Sequence, residues 1–329
     1  MSSDRGATDN SDDTGAIPTE GEGLRMSERE VAQLISRIER GDAGAVQHLF
    51  TVDSSDTAFV VGVTGPPGSG KSTLVDVLAR QMRLSGQTVA VLAIDPSSHL
   101  TGGAMLGDRV RMSSHSQDPG VYIRSMATRG YTSGLARATR DAVKVLETAG
   151  YDVIIVETVG VGQVELDVLT VADAVAVVLV PGLGDTMQMN KAGIMEIGDL
   201  FVVNMADRPE TAGFVRELKQ ALALGFRHDD IPPVCQTVAL SGDGVDQLWK
   251  TLSDRDARDR RTGRREARRR EQRTAEFRRE IESRVLIMAR AIMRRSPELR
   301  AAEEQVAEGR KPATAAAKEW MAGRSLTAG

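Results

Sequence analysis

The chain has 329 residues, 41% of them hydrophobic and 27% charged, with 42 basic against 46 acidic side chains; this describes a globular protein with a buried core rather than a disordered or fibrous one. The net charge of −4 gives no whole-molecule attraction to nucleic acid, and 3% aromatic residues exclude base stacking on single strands as a main activity. No run approaches the roughly 18 apolar residues of a membrane span, and the one cysteine, Cys235, can form no intramolecular disulfide, so a cytoplasmic, reducing setting is expected.

Residues 1–24 are rich in Ser, Asp, Gly and Thr, lack an apolar signal core and read as a disordered tail. Residues 25–56 form an N-terminal helical segment. Ser27 with Glu30 three residues later is a capping box, and Val31, Leu34, Ile35 and Ile38 follow at helical spacing. A second short helix is expected from Asp42, burying Val46, Leu49 and Phe50.

Over residues 57–254 short apolar runs alternate with helical patterns. The runs are FVVGV, TVAVLAI, VYIR, DVIIVET, AVAVVLV, LFVVN and PVCQTVAL. They lack strict polar alternation, so each is expected to be covered on both faces. That pattern predicts an α/β fold with a doubly wound, mostly parallel sheet. Ligands of such sheets bind at the carboxyl ends of the strands. Residues 255–329 form a C-terminal helical arm and tail, rich in arginine and without a strand signal. There Phe277, Ile281, Val285, Met288 and Ile292 make one apolar stripe. Glu266 with Arg270 and Glu280 with Arg284 are i,i+4 pairs, and Pro297 stops or kinks the helix.

The loop GPPGSGKST, residues 65–73, follows the first strand and opens a helix, the context a phosphate-binding loop requires. Gly65, Gly68 and Gly70 let backbone N–H groups around Ser69 turn toward phosphate oxygens, and the helix N-terminus adds further donors. Lys71 is placed for the β- and γ-phosphates, Ser72 for Mg²⁺ and Thr73 for the α-phosphate. Three acids stand where they can serve the metal: Asp95 and Glu157, each ending an apolar strand, and Asp108 in the loop TGGAMLGDRVRM. Gly160, just past Glu157, can present its N–H to a γ-phosphate. Arg129 either lies near the phosphates or caps a surface loop.

The run LFVVN ends in Asn204-Met205-Ala206-Asp207. Asp207 can accept from the N1 and N2 donors of guanine, a pair adenine lacks, and Asn204 would hold the loops and meet N7. Many GTPases have lysine where Met205 stands. Its ammonium would donate to the phosphate-loop backbone. Met205 can imitate only the stem, so weaker GTP binding, restored by Met205→Lys, is expected. Asn190-Lys191 resembles the same motif but ends in Gly193, which has no carboxylate to read the base. Ala239 is a candidate for guanine O6, with Val238 in the place of a usual serine.

Taken in order, GPPGSGKST, AIDPSS, TGGAMLGDRVRM, RSMATRG, ETVGVGQVE, KAGIMEIGDL and VVNMAD resemble the MeaB/ArgK/MMAA family of P-loop GTPases, in the SIMIBI class, over roughly residues 26–300. The resemblance implies a GTP- and Mg²⁺-dependent chaperone of an adenosylcobalamin-dependent acyl-CoA mutase. It implies a homodimer whose C-terminal arm reaches its neighbour, with adenosylcobalamin held by the mutase. It implies catalytic or switch roles for Lys71, Asp108, Glu157, Gly160 and Gln163; whether Gln163 orients the attacking water stays open. The sequence departs from the family at Met205, Val164, Tyr131-Thr132-Ser133 and Val238. His48, His99, His115 and His228 are scattered, which offers no cobalamin site and argues against metal-insertion GTPases. The competing readings are an ATP-dependent kinase or transport ATPase, and a nucleic-acid binder acting through the arginine-rich arm.

Overall fold

The computed structural model describes residues 26–42, 44–45, 57–95, 118–127, 132–158, 170–182, 194–227 and 230–322, with the side chains of 95, 127, 132–137 and 194 excepted. It forms two compact units, Met1–Thr262 and Gly263–Gly329.

The first unit holds seven strands: β1 Phe59–Thr64, β2 Val89–Asp95, β3 Val121–Ala127, β4 Val153–Thr158, β5 Ala174–Leu179, β6 Leu200–Asn204 and β7 Val234–Thr237. These are the seven apolar runs of the sequence. Their order in the sheet is β3-β2-β4-β1-β5-β6-β7, and all pairs are parallel. β1 pairs with β4 on one side (Val61 beside Ile155) and with β5 on the other (Val61 beside Ala174). From β1 the chain builds β2 and β3 on the β4 side, and after β4 it builds β5, β6 and β7 on the other side, so the loop after β1 opens at the switch point of a doubly wound sheet, where a ligand crevice forms.

Every residue of β1, β4 and β5 is buried. The reason is helices on both faces, and the period-2 alternation of a strand shows it. Val61, Val63, Ile155 and Val178 pack with Leu74 and Leu78 of α2 (Lys71–Leu84) and with Leu248 and Leu252 of α6 (Val245–Arg261). The intervening Val60, Ile154 and Val156 pack on the opposite face. Their partners are Val31, Leu34, Ile35 and Ile38 of α1 (Glu28–Glu39) and Val145 and Leu146 of α3 (Thr132–Ala149). Further along the sheet, Val177, Phe201 and Val203 meet Leu218 and Leu222 of α5 (Thr211–Gly225), which follows the short α4 (Ile194–Ile197). Each such large side chain taken from water contributes about 1.5–3 kcal/mol before entropy is counted.

The capping box is present: Ser27 N–H donates to Glu30 Oε2 at 2.7 Å, and Glu30 N–H donates to Ser27 Oγ at 3.3 Å. Arg124 of β3 fastens α1 from the sheet side, donating to Ala32 O at 3.1 Å and to Ser36 Oγ at 2.9 Å, and pairing with Glu39. Asp42 Oδ1 accepts from the N–H groups of Gly44 and Ala45; Val46, Leu49 and Phe50 lie outside the described residues.

The second unit consists of α7 (Arg264–Arg295), α8 (Pro297–Ala307) and α9 (Ala313–Ala322). Ser296 ends α7 and caps α8, accepting from Leu299 N–H at 3.2 Å, with Pro297 at the first helical position. Glu280 pairs with Arg284 at 2.8 Å, as the spacing predicts. The ion pair of Glu266 goes instead to Arg273 at 2.7 Å, because a long guanidinium stem can cover two helical turns. Phe277, Ile281, Val285 and Met288 are exposed, and so are the adjacent Leu286 and Ile287.

Candidate active site

β1 delivers the phosphate loop, and glycine is required at two of its turns. Gly65 has φ 144°, and a Cβ there would lie 2.1 Å from the carbonyl oxygen of Val178 in β5. Gly70 has φ 79°, caps α2 and would put a Cβ 2.5 Å from Asn204 Nδ2. A side chain at either position collides with fixed atoms, so the loop backbone stays bare toward the crevice. Gly68 is also left-handed (φ 79°), Ser69 is fully buried and Thr73 is exposed on the first turn of α2.

Lys71 is buried although charged. Its ammonium donates to the carbonyls of Gly65 (2.8 Å) and Pro66 (3.0 Å), folding the side chain back along its own loop. Its desolvation is offset by those two acceptors. One residue on, Ser72 Oγ donates to Glu157 Oε1 at 2.6 Å across 85 residues of sequence. Glu157 is 4% exposed and sits at the carboxyl end of β4, beside Val63 of β1. A hydroxyl and a carboxylate in contact at the mouth of a phosphate loop are the hard oxygen donors that Mg²⁺ takes. Among the described residues no group of three or more His, Cys, Asp or Glu side chains forms a metal cluster.

Asn204, the last residue of β6, is buried and joins three segments. Its Nδ2 donates to Ser69 O at 2.9 Å, while its Oδ1 accepts from Thr237 Oγ1 at 3.2 Å and from Ala239 N–H at 3.1 Å. The Ala239 amide thus points at Asn204. Met205 is the only non-glycine residue with positive φ among the described residues (54°), and its Cε lies 3.7 Å from the Cβ position of Gly70. The methionine stem therefore lies against the phosphate loop. Ala206 N–H donates to Thr237 O at 3.0 Å, which leaves Asp207 exposed at the rim.

The structure brings Lys71, Ser72, Glu157, Asn204 and Ala239 together around one loop. Asp108, Arg129, Gly160, Gln163, Val164 and the Asn190–Gly193 segment lie outside the described residues, and of Asp95 only the backbone is described. Sequence reasoning missed two threonine contacts. Thr237 holds Asn204, and buried Thr158 donates to Thr64 Oγ1 at 3.0 Å, tying the ends of β4 and β1. The one available signal was a hydroxyl residue ending each of these apolar strands.

A family model described as methylmalonyl-CoA mutase-associated GTPase MeaB matches residues 31–294. A protein of Pyrococcus abyssi named as a GTPase is 48% identical over 258 residues, covering 71% of this chain and 78% of its own length. The GTPase ArgK of Escherichia coli is 36% identical over 286 residues, 79% of this chain and 86% of its own. The methylmalonic aciduria type A homolog of Mus musculus, a mitochondrial protein, is 36% identical over 238 residues, 71% of this chain and 57% of its own. The crystal structure of a LAO/AO transport system kinase shares the fold, with a TM-score of 0.64 at 24% identity, covering 89% of this chain and 97% of that one.

Proposed function

The chain belongs to the family of methylmalonyl-CoA mutase-associated GTPases, and on that premise we propose that it is a guanine-selective, Mg²⁺-dependent GTPase that assists an adenosylcobalamin-dependent acyl-CoA mutase. The observation that carries the nucleotide part is the convergence of Lys71, the Ser72–Glu157 contact and Asn204 on one glycine-lined loop.

In this reading the backbone N–H groups of residues 68–72 and the Lys71 ammonium bind the phosphates of GTP. For Lys71 this means leaving the carbonyls of Gly65 and Pro66 for stronger anionic acceptors. Ser72 and Glu157 hold Mg²⁺, which neutralises phosphate charge when bound. Asp95 and Asp108 are further candidates for the metal, and Gly160 and Gln163 for sensing the γ-phosphate and orienting water. Asp207 selects guanine through N1 and N2. The products are GDP and phosphate, formed slowly until a partner completes the site; a catalytic arginine supplied by a partner can raise such a rate ~10³–10⁵-fold.

The family description supports a mutase partner, and the mouse relative's name points the same way. The cobalamin belongs to the mutase in this reading, since the scattered histidines offer this chain no ligand set. The exposed apolar stripe of α7 is the surface we assign to a second copy of the chain, making a homodimer. No helix among the described residues is long and apolar enough to cross a membrane, and we place the protein in the cytoplasm.

The test is GTP turnover with and without purified acyl-CoA mutases. Stimulation by one of them is expected; rates unchanged by every mutase at saturating concentration would overturn the chaperone reading. ATP bound as tightly as GTP would favour an ATP-dependent kinase or transport ATPase.

A further inference from the structure

The segment 205–208 carries a backbone cost and has lost a tie. Met205 holds φ 54°, a conformation that residues with a Cβ rarely adopt. Such strain persists only where the surroundings over-determine the chain. A lysine at 205 would add a charged hydrogen bond to the phosphate loop. Methionine has no donor, and its Cε makes only an apolar approach to Gly70.

The donor is found three residues on. Arg208 Nη1 donates to the carbonyl of Pro181, two residues past the end of β5, at 3.0 Å. Arg208 is also fixed through its own backbone: its N–H donates to Met205 O at 3.1 Å, and its carbonyl accepts from Thr211 N–H at 3.1 Å, at the start of α5. With Ala206 N–H on Thr237 O, the segment is held from just past β5 and from the end of β7 together. Asp207 lies between these two anchored residues.

We infer that Arg208 is the positioning residue of the base site, tying the segment to Pro181, an anchor other than the phosphate loop that Met205 cannot reach with a donor, and so fixing the aim of the Asp207 carboxylate. This rests on the guanine-binding reading above. Arg208 need not touch the nucleotide. Its contribution is to the geometry in which Asp207 accepts from both N1 and N2, so it shows in discrimination more than in stability.

Inosine triphosphate tests it, because it keeps the N1 donor of guanine and lacks the 2-amino group. Affinities for GTP and inosine triphosphate are measured by calorimetry for the full-length protein, Arg208→Ala, and Arg208→Ala combined with Met205→Lys. In Arg208→Ala the preference for GTP over inosine triphosphate is expected to shrink about fivefold, as for a lost charge-assisted bond at a partly exposed site. The melting temperature should hold. The added lysine should restore much of the preference by supplying the other tie. An unchanged preference in Arg208→Ala overturns the inference, and so does an equal loss for both nucleotides with a lowered melting temperature. Those outcomes leave the guanine reading standing if the parent protein prefers GTP over ATP; a parent without that preference removes both.

Discussion

The side-chain amide of Asn204 donates to the carbonyl of Ser69 at 2.9 Å, so the end of β6 and the phosphate loop share one buried joint. The same side chain accepts from Thr237 and Ala239. A nucleotide bound by this loop and read at Asp207 would span two segments held in fixed relation by a single residue.

Asn204→Ala should therefore reduce both stability and nucleotide binding. It leaves the Ser69 carbonyl, the Thr237 hydroxyl and the Ala239 amide without this partner, and each buried orphan costs ~1–3 kcal/mol. We expect a loss of at least about 2 kcal/mol in urea unfolding, with GTP affinity down tenfold or more. Unaltered unfolding would show that the joint contributes nothing.

Ser72→Ala and Glu157→Gln should behave as one lesion. The two side chains touch at 2.6 Å and serve one ion in the proposed mechanism. Each alone should lower Mg²⁺-dependent turnover roughly hundredfold, and the double variant should be little worse, as for residues that act as a unit. Chelating Mg²⁺ should weaken GTP binding to the parent and leave binding to the variants almost unmoved. Multiplicative losses in the double variant would separate their roles.

Charges placed on the α7 stripe should dissolve the proposed dimer. Phe277→Asp with Val285→Asp replaces two exposed apolar side chains by groups that oppose burial at an interface. Sedimentation should show a dimer for the parent and a monomer for the variant, with GTP binding retained. A parent that sediments as a monomer at micromolar concentration would refute the assignment of this face.

Acid should loosen the start of α1. The Ser27 hydroxyl and backbone N–H hold the Glu30 carboxyl below its ordinary pKa. A carboxyl depressed in the folded state contributes stability above its unfolded pKa, and the contribution is lost as pH falls through the depressed value. The protection factors of the amides at residues 28–31, exchange rates corrected for their intrinsic pH dependence, should therefore fall on acidification through the carboxylate range. Glu30→Gln should flatten that pH dependence, since the amide does not titrate.

Several features were legible because their causes are contiguous. The capping box needs only Ser27 and Glu30. Pro297 is excluded from the interior of a helix by its own ring, and α7 ends just before it. The Glu266 pair was misassigned because spacing gives neighbours on a helix but not which of several arginines a flexible carboxylate meets.

The sequence by itself determined the seven strands, the glycine turns of residues 65–70 and the family, since each depends on residues adjacent in the chain. Only the tertiary structure decided the joints. Ser72 meets Glu157 across 85 positions, Asn204 meets Ser69 across 135, and Arg208 rather than Met205 reaches the chain just past β5. Local propensity fixes which residues extend or coil. Which carbonyl lies within 3 Å of a given donor depends on the order in which β1, β4, β5, β6 and β7 lie side by side. That order is a property of the whole fold rather than of any stretch within it.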